Sequence, residues 1–173
     1  YKKHPKETLI VVTADHETGG IALGTGKYAL NLKALENQKA SAEVLSKKIS
    51  DLRKAKNNHV AWEDIKNLLS EEMGFWSVLP ITWEQEKKLR DEYEKSFVRN
   101  KVEFAESMYA KTEPMAAKAK EVMDQIAMVG WTSGGHSAGY VPVFAIGAGS
   151  DLFIGKMDNT EIPKRIAKAG GYK

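Results

Sequence analysis

The chain has 173 residues with 42% hydrophobic and 28% charged side chains, enough for one domain with a real core and unlike a disordered tail or a fibre. Lys plus Arg number 26 against 23 Asp plus Glu, a net charge of +3 spread through mixed-sign text, so nothing suggests a nucleic-acid partner. Cysteine is absent, which excludes a disulfide framework and a thiolate zinc site, so any metal must use His and carboxylate ligands.

No apolar run approaches the roughly 20 residues needed to span a bilayer, and the opening YKKHPKET lacks a signal-peptide core. With no initiator Met, the opening reads as a loop entering a central strand, as in a piece of something longer. The first element expected is a strand from Leu9 to Val12, aliphatic and mostly β-branched, of the parallel kind buried on both faces. Asp15 and His16 stand where that strand should end, and Gly19 with Gly20 eases the turn both side chains need to reach one ion. Two readings stand at this point: a hard oxygen and a borderline nitrogen suited to zinc, or an Asp capping a turn beside an incidental histidine.

A second short strand and turn follow in IALGTGKYAL. From about Asn31 to Met128 the text becomes helical, with one stripe of Val44, Leu45, Ile49 and Leu52 and another of Trp62, Ile65, Leu68, Leu69 and Met73, parted by a turn at Asn57-Asn58. Gly74 to Pro80 breaks the pattern. Thr82 and Gln85 form a capping box opening a long helix with Leu89, Tyr93, Phe97 and Met108 on its inner face. Pro114 starts another helix with Ala119, Val122, Met123 and Ile126 inside and Gly130 as its cap. A buried strand at Pro142–Gly147 and a last helix, capped near Asp158–Thr160 and running to Gly170-Gly171, complete the order. This order predicts an α/β core at residues 1–30 and 129–173 interrupted by a helical insertion at 31–128, one incomplete domain overall.

WTSGGHS presents His136 in a glycine-rich loop just before the strand at Pro142–Gly147. Alone, such a histidine is more often a hydrogen-bonded surface residue; beside Asp15 and His16 it would be a third ligand. His4 and His59 have no carboxylate at ligand spacing and read as surface residues. The four tryptophans read as packing, the Lys/Glu alternation from Glu84 to Glu106 as a solvated helix face, and Gly147-Ala148-Gly149 as neither a P-loop nor a dinucleotide fingerprint.

TLIVVTADHETGG closely resembles the metal-binding strand end of alkaline phosphatases, and GGHSAGYVPVFAIGAGSDLFIGKMDNTEIPKRI resembles their C-terminal segment. The helical stretch resembles the longer connection of some bacterial members. The resemblance implies the C-terminal part of a three-layer α/β/α sandwich and of a zinc-dependent phosphomonoesterase. Such an enzyme holds two zinc ions and a magnesium ion and works through a serine nucleophile and a covalent phosphoserine. It also implies that Asp15 and His16 ligate one zinc and His136 the other, with a periplasmic or secreted location.

The departures are specific. None of the ten serines follows an Asp, so the nucleophile motif is absent, as are the magnesium ligands, the remaining zinc ligands and the phosphate-binding Arg. Ser137 stands where the family often has Thr. The chain alone is therefore expected to be inactive, with the remainder of a parent chain as its first partner and a phosphate monoester as the substrate. The insertion is expected to form a cap over the site or a homodimer contact. Two other readings stay open: a related phosphodiesterase or sulfatase, and a helical interaction module with vestigial ligands.

Overall fold

The structure, a computed structural model, describes residues 1–26, 28–106 and 111–172. In chain order its elements are β1 (Leu9–Val12), β2 (Ile21–Leu23), α1 (Ala42–Ala55), α2 (Trp62–Met73), α3 (Trp83–Tyr93), β3 (Ala105–Glu106), β4 (Lys111–Thr112), α4 (Pro114–Ala127), β5 (Val129–Trp131), β6 (Phe144–Gly147) and α5 (Glu161–Ala169). They fall into two compact units, Tyr1–Gly20 with His136–Lys173, and Ile21–Gly135. The fold is α/β.

In the first unit β1 pairs antiparallel with β6, Leu9 opposite Gly147 and Val12 opposite Phe144. This corrects the expectation of a parallel strand buried on both faces. Directly opposed residues share a face, so Leu9, Val11 and Ala145 lie on one side, where a cavity of about 320 Å³ is bounded by α5 residues Ile166 and Ala169. Ile10, Val12, Phe144 and Ile146 lie on the other and are exposed by 40%, 57%, 63% and 51%. A continuous aliphatic run cannot distinguish a central strand from a half-covered one, because periodicity is silent when both faces are apolar.

The second unit is a helical bundle with short strand pairs, β2 with β5 and β3 with β4. Leu45, Ile49, Ile65, Leu69, Met73, Leu89, Val122 and Met123 are almost wholly buried in one core, as their helical spacing predicts, and Met115 joins them. Val44, by contrast, is 46% exposed, one position off the inward face of α1. Thr82 caps α3 as expected, its hydroxyl accepting from Gln85 N at 3.3 Å while Gln85 Oε1 accepts from Thr82 N at 3.0 Å. Asn57 and Asn58 turn the chain at φ 50° and 63°.

Three details differ from expectation. The long helix after Thr82 ends at Tyr93 and continues as a π turn, Glu94–Val98, that still buries Phe97; Met108 lies outside the described residues. The cap of α4 is Met128, left-handed at φ 57°, and not Gly130. Gly130 sits in β5, where a Cβ would lie 2.8 Å from Thr25 Cγ2, so the close approach of the Thr25 side chain just past β2 explains the glycine. Of the tryptophans, Trp62 is buried and Trp76 packs on the core, but Trp83 is 72% exposed.

Candidate metal centre

All three candidate ligands lie in the first unit, beyond the carboxyl end of β1 and in the loop that precedes β6. Thr13 Oγ1 donates to Pro142 O at 3.2 Å, joining the two approaches to that sheet. The backbone then turns sharply: Asp15 Oδ1 accepts from His16 N at 3.0 Å, and Gly19 and Gly20 adopt φ 102° and 64°, positive values that favour glycine. This is the turn that the adjacent Asp and His require.

The His16 ring is fixed from one side by a 2.7 Å bond between Nδ1 and the Glu17 carbonyl. A carbonyl only accepts, so Nδ1 carries a proton, and whenever the ring is neutral Nε2 keeps a lone pair. That Nε2 lies 3.4 Å from Asp15 Oδ2. Two ligands of one tetrahedral zinc, each about 2.0–2.1 Å from the ion, stand about 3.3–3.4 Å apart. The pair thus has the spacing of two donors to one ion, and its oxygen and nitrogen chemistry fits zinc. His136 adjoins them, its ring stacked on that of His16 with centroids 3.7 Å apart and planes inclined by 27°. Among the described residues no three His or carboxylate side chains converge as a cage, so an ion here needs further donors.

Sequence reasoning passed over Glu17. Its Oε2 accepts from Gly19 N at 2.9 Å and from Gly20 N, and its Oε1 accepts from Ser137 N in the other loop. The Ser137 N–H, followed by those of Gly20 and Gly19, stabilises the anion against partial desolvation and holds the carboxyl down at about 2. A lone glutamate between a histidine and a threonine carries no periodic or spacing signal. Only the fold shows that it meets Ser137.

His4 and His59 are not brought to the Asp15, His16 and His136 cluster. His4 does have a carboxylate near, against expectation, with its Nδ1 3.7 Å from Glu7 Oε2 three residues on, while His59 Nδ1 bonds Asn57 O at 2.9 Å.

Fold and site together define an α/β protein that presents a carboxylate–imidazole pair at a strand end beside a second imidazole. A family model described as alkaline phosphatase matches residues 1–172, and the chain belongs to that family. It is 31% identical over 183 residues to alkaline phosphatase 3 of Bacillus subtilis (strain 168), covering 99% of this chain and 32% of that protein. With alkaline phosphatase 4 of the same organism the identity is 26% over 169 residues, covering 97% and 31%. The crystal structure of a cold-active alkaline phosphatase from a psychrophilic Shewanella sp. superposes with a TM-score of 0.64 at 25% identity, covering 98% of this chain and 35% of that one. For the Thermus thermophilus alkaline phosphatase the TM-score is 0.61 at 22% identity, with 99% and 35% covered. The chain therefore spans about a third of the length of the relatives it matches.

Proposed function

We propose that this chain supplies part of the metal site of a zinc-dependent phosphomonoesterase, with Asp15 and His16 as ligands of one zinc and His136 as a ligand of a second. The observation that carries the reading is the 3.4 Å separation of Asp15 Oδ2 and His16 Nε2, with Nδ1 engaged by the Glu17 carbonyl. When bound, the two zinc ions would lower the pKa of oxygen nucleophiles and neutralise charge on the transferring phosphoryl group, with magnesium supporting the site. The chain's own residues supply binding and orientation. Asp15 brings anionic charge, the Glu17 carbonyl holds the His16 ring in the tautomer that leaves Nε2 to bind, and the loop carrying His136 sets that imidazole against His16.

Substrate specificity, a periplasmic or secreted location and a homodimer belong to the same proposal, and rest on family membership alone. No described helix is long and apolar enough to cross a membrane. No serine here follows an Asp, so the chain by itself is expected not to turn over p-nitrophenyl phosphate even with zinc and magnesium. Serine-dependent turnover by the chain would show the missing-nucleophile account to be wrong.

Titration of the chain with Zn2+ alone tests the ligands. Asp15→Ala, His16→Ala and His136→Ala should each weaken binding by at least tenfold, the range seen when metal-site groups are removed. Affinity should also fall on acidification, because a ligating imidazole must shed its proton. Zinc binding unchanged in all three variants would refute the assignment.

A further inference from the structure

We infer that Glu17 is a positioning residue that clamps the two histidine loops together, an inference whose purpose rests on the zinc reading of Asp15, His16 and His136. Glu17 directly follows His16, and its chief cross-loop partner, Ser137, directly follows His136. One carboxylate therefore links positions a single residue from each imidazole, although they are 120 residues apart in sequence. The two oxygens divide the work. Oε2 gathers the Gly19 and Gly20 N–H groups and shapes its own loop, while Oε1 takes the Ser137 N–H and holds the other. The backbone carbonyl of the same residue orients the His16 ring at 2.7 Å.

The packing around the clamp is equally close. A Cβ at Gly139 would stand 3.2 Å from Glu17 Cγ and 3.3 Å from Ser137 Oγ, and Gly139 N donates to Ser137 Oγ at 3.3 Å. The carboxylate's backbone partners are all N–H donors, so both oxygens must accept. A glutamine has the same shape but one oxygen, and its NH2 would face a donor on one side or the other. Isosteric replacement consequently separates clamping from space filling.

The test uses Glu17→Gln in the full 173-residue chain, followed by nuclear magnetic resonance without metal and by titration with Zn2+ alone. Loss of the nuclear Overhauser contact between the His16 and His136 rings is expected, with at least tenfold faster amide exchange at Ser137. Zinc affinity should drop at least tenfold while the amide shifts of α5 stay in place. Retention of the ring contact and of the slow Ser137 amide in E17Q would overturn the clamp. Should the variant not fold, the unmodified chain decides the matter. A through-hydrogen-bond coupling from the Ser137 amide nitrogen to Glu17 Cδ supports the clamp, and its absence overturns it.

The two readings fail separately. If E17Q parts the rings while H16A and H136A leave zinc affinity unchanged, the clamp stands and the zinc site falls. If the histidine variants lose zinc but E17Q keeps the rings together, the clamp falls alone.

Discussion

At the scale of single residues, the Glu17 carboxylate gathers the backbone amides of Gly19, Gly20 and Ser137 in the first unit. The same holds for Glu113 in the second unit. Its carboxylate is fully buried, caps α4 by accepting from Met115 N at 2.7 Å and Ala116 N at 3.2 Å, and pairs with Arg53 Nη2 at 2.7 Å. Arg53 also donates to Ser96 O at 3.1 Å and lies 3.5 Å over the Phe97 ring. Removing one partner of a buried pair strands the other charge, so Arg53→Ala should destabilise the helical unit by about 3–5 kcal/mol. Urea unfolding followed by circular dichroism measures this; a loss below about 1 kcal/mol would mean that water replaces the guanidinium without penalty. The adjacent Asp15 and His16 after a β-branched run carry their own chemical signature in the sequence, whereas Glu17 gains its meaning only from an amide 120 residues away.

Among elements, those with a local cause were legible. The reciprocal bonds of Thr82 and Gln85 need only residues three apart, and α3 begins where they place it. Thr82→Ala should lower stability by about 1 kcal/mol, the usual effect of losing an N-cap oxygen, while the same substitution at Thr160, whose exposed hydroxyl donates to Asp158 Oδ1 at 2.7 Å and makes no cap bond, should cost distinctly less. Equal losses in thermal denaturation would argue against the cap as the cause. The π turn at Glu94–Val98 was not legible, because one extra residue per turn leaves the apolar spacing of Tyr93 and Phe97 unbroken, and their rings stack with centroids 5.4 Å apart. The orientation of β1 was hidden for a related reason. Its partner β6 begins 132 residues after β1 ends, and four aliphatic residues in a row are compatible with either direction and with one or two covered faces.

For the molecule as a whole, the uncovered face of the β1–β6 sheet is the main physical consequence of that pairing. Ile10, Val12, Phe144 and Ile146 are each at least 40% exposed and lie side by side, since Ile10 opposes Ile146 and Val12 opposes Phe144. Contiguous apolar surface on a short sheet recruits whatever apolar partner is near, and unpaired strand edges add backbone donors and acceptors to the attraction. The chain presents this face directly to solvent. The chain should therefore bind anilinonaphthalene sulfonate and self-associate with rising concentration. Val12→Lys with Phe144→Lys should suppress both, because lysines on an exposed sheet face oppose stacking while their methylenes still cover the strand. Far-ultraviolet circular dichroism should stay unchanged, since neither side chain is buried. Dye binding and sedimentation identical to the parent chain would locate the sticky surface elsewhere, with the exposed Ile21 and Leu23 of β2 as the next place to substitute.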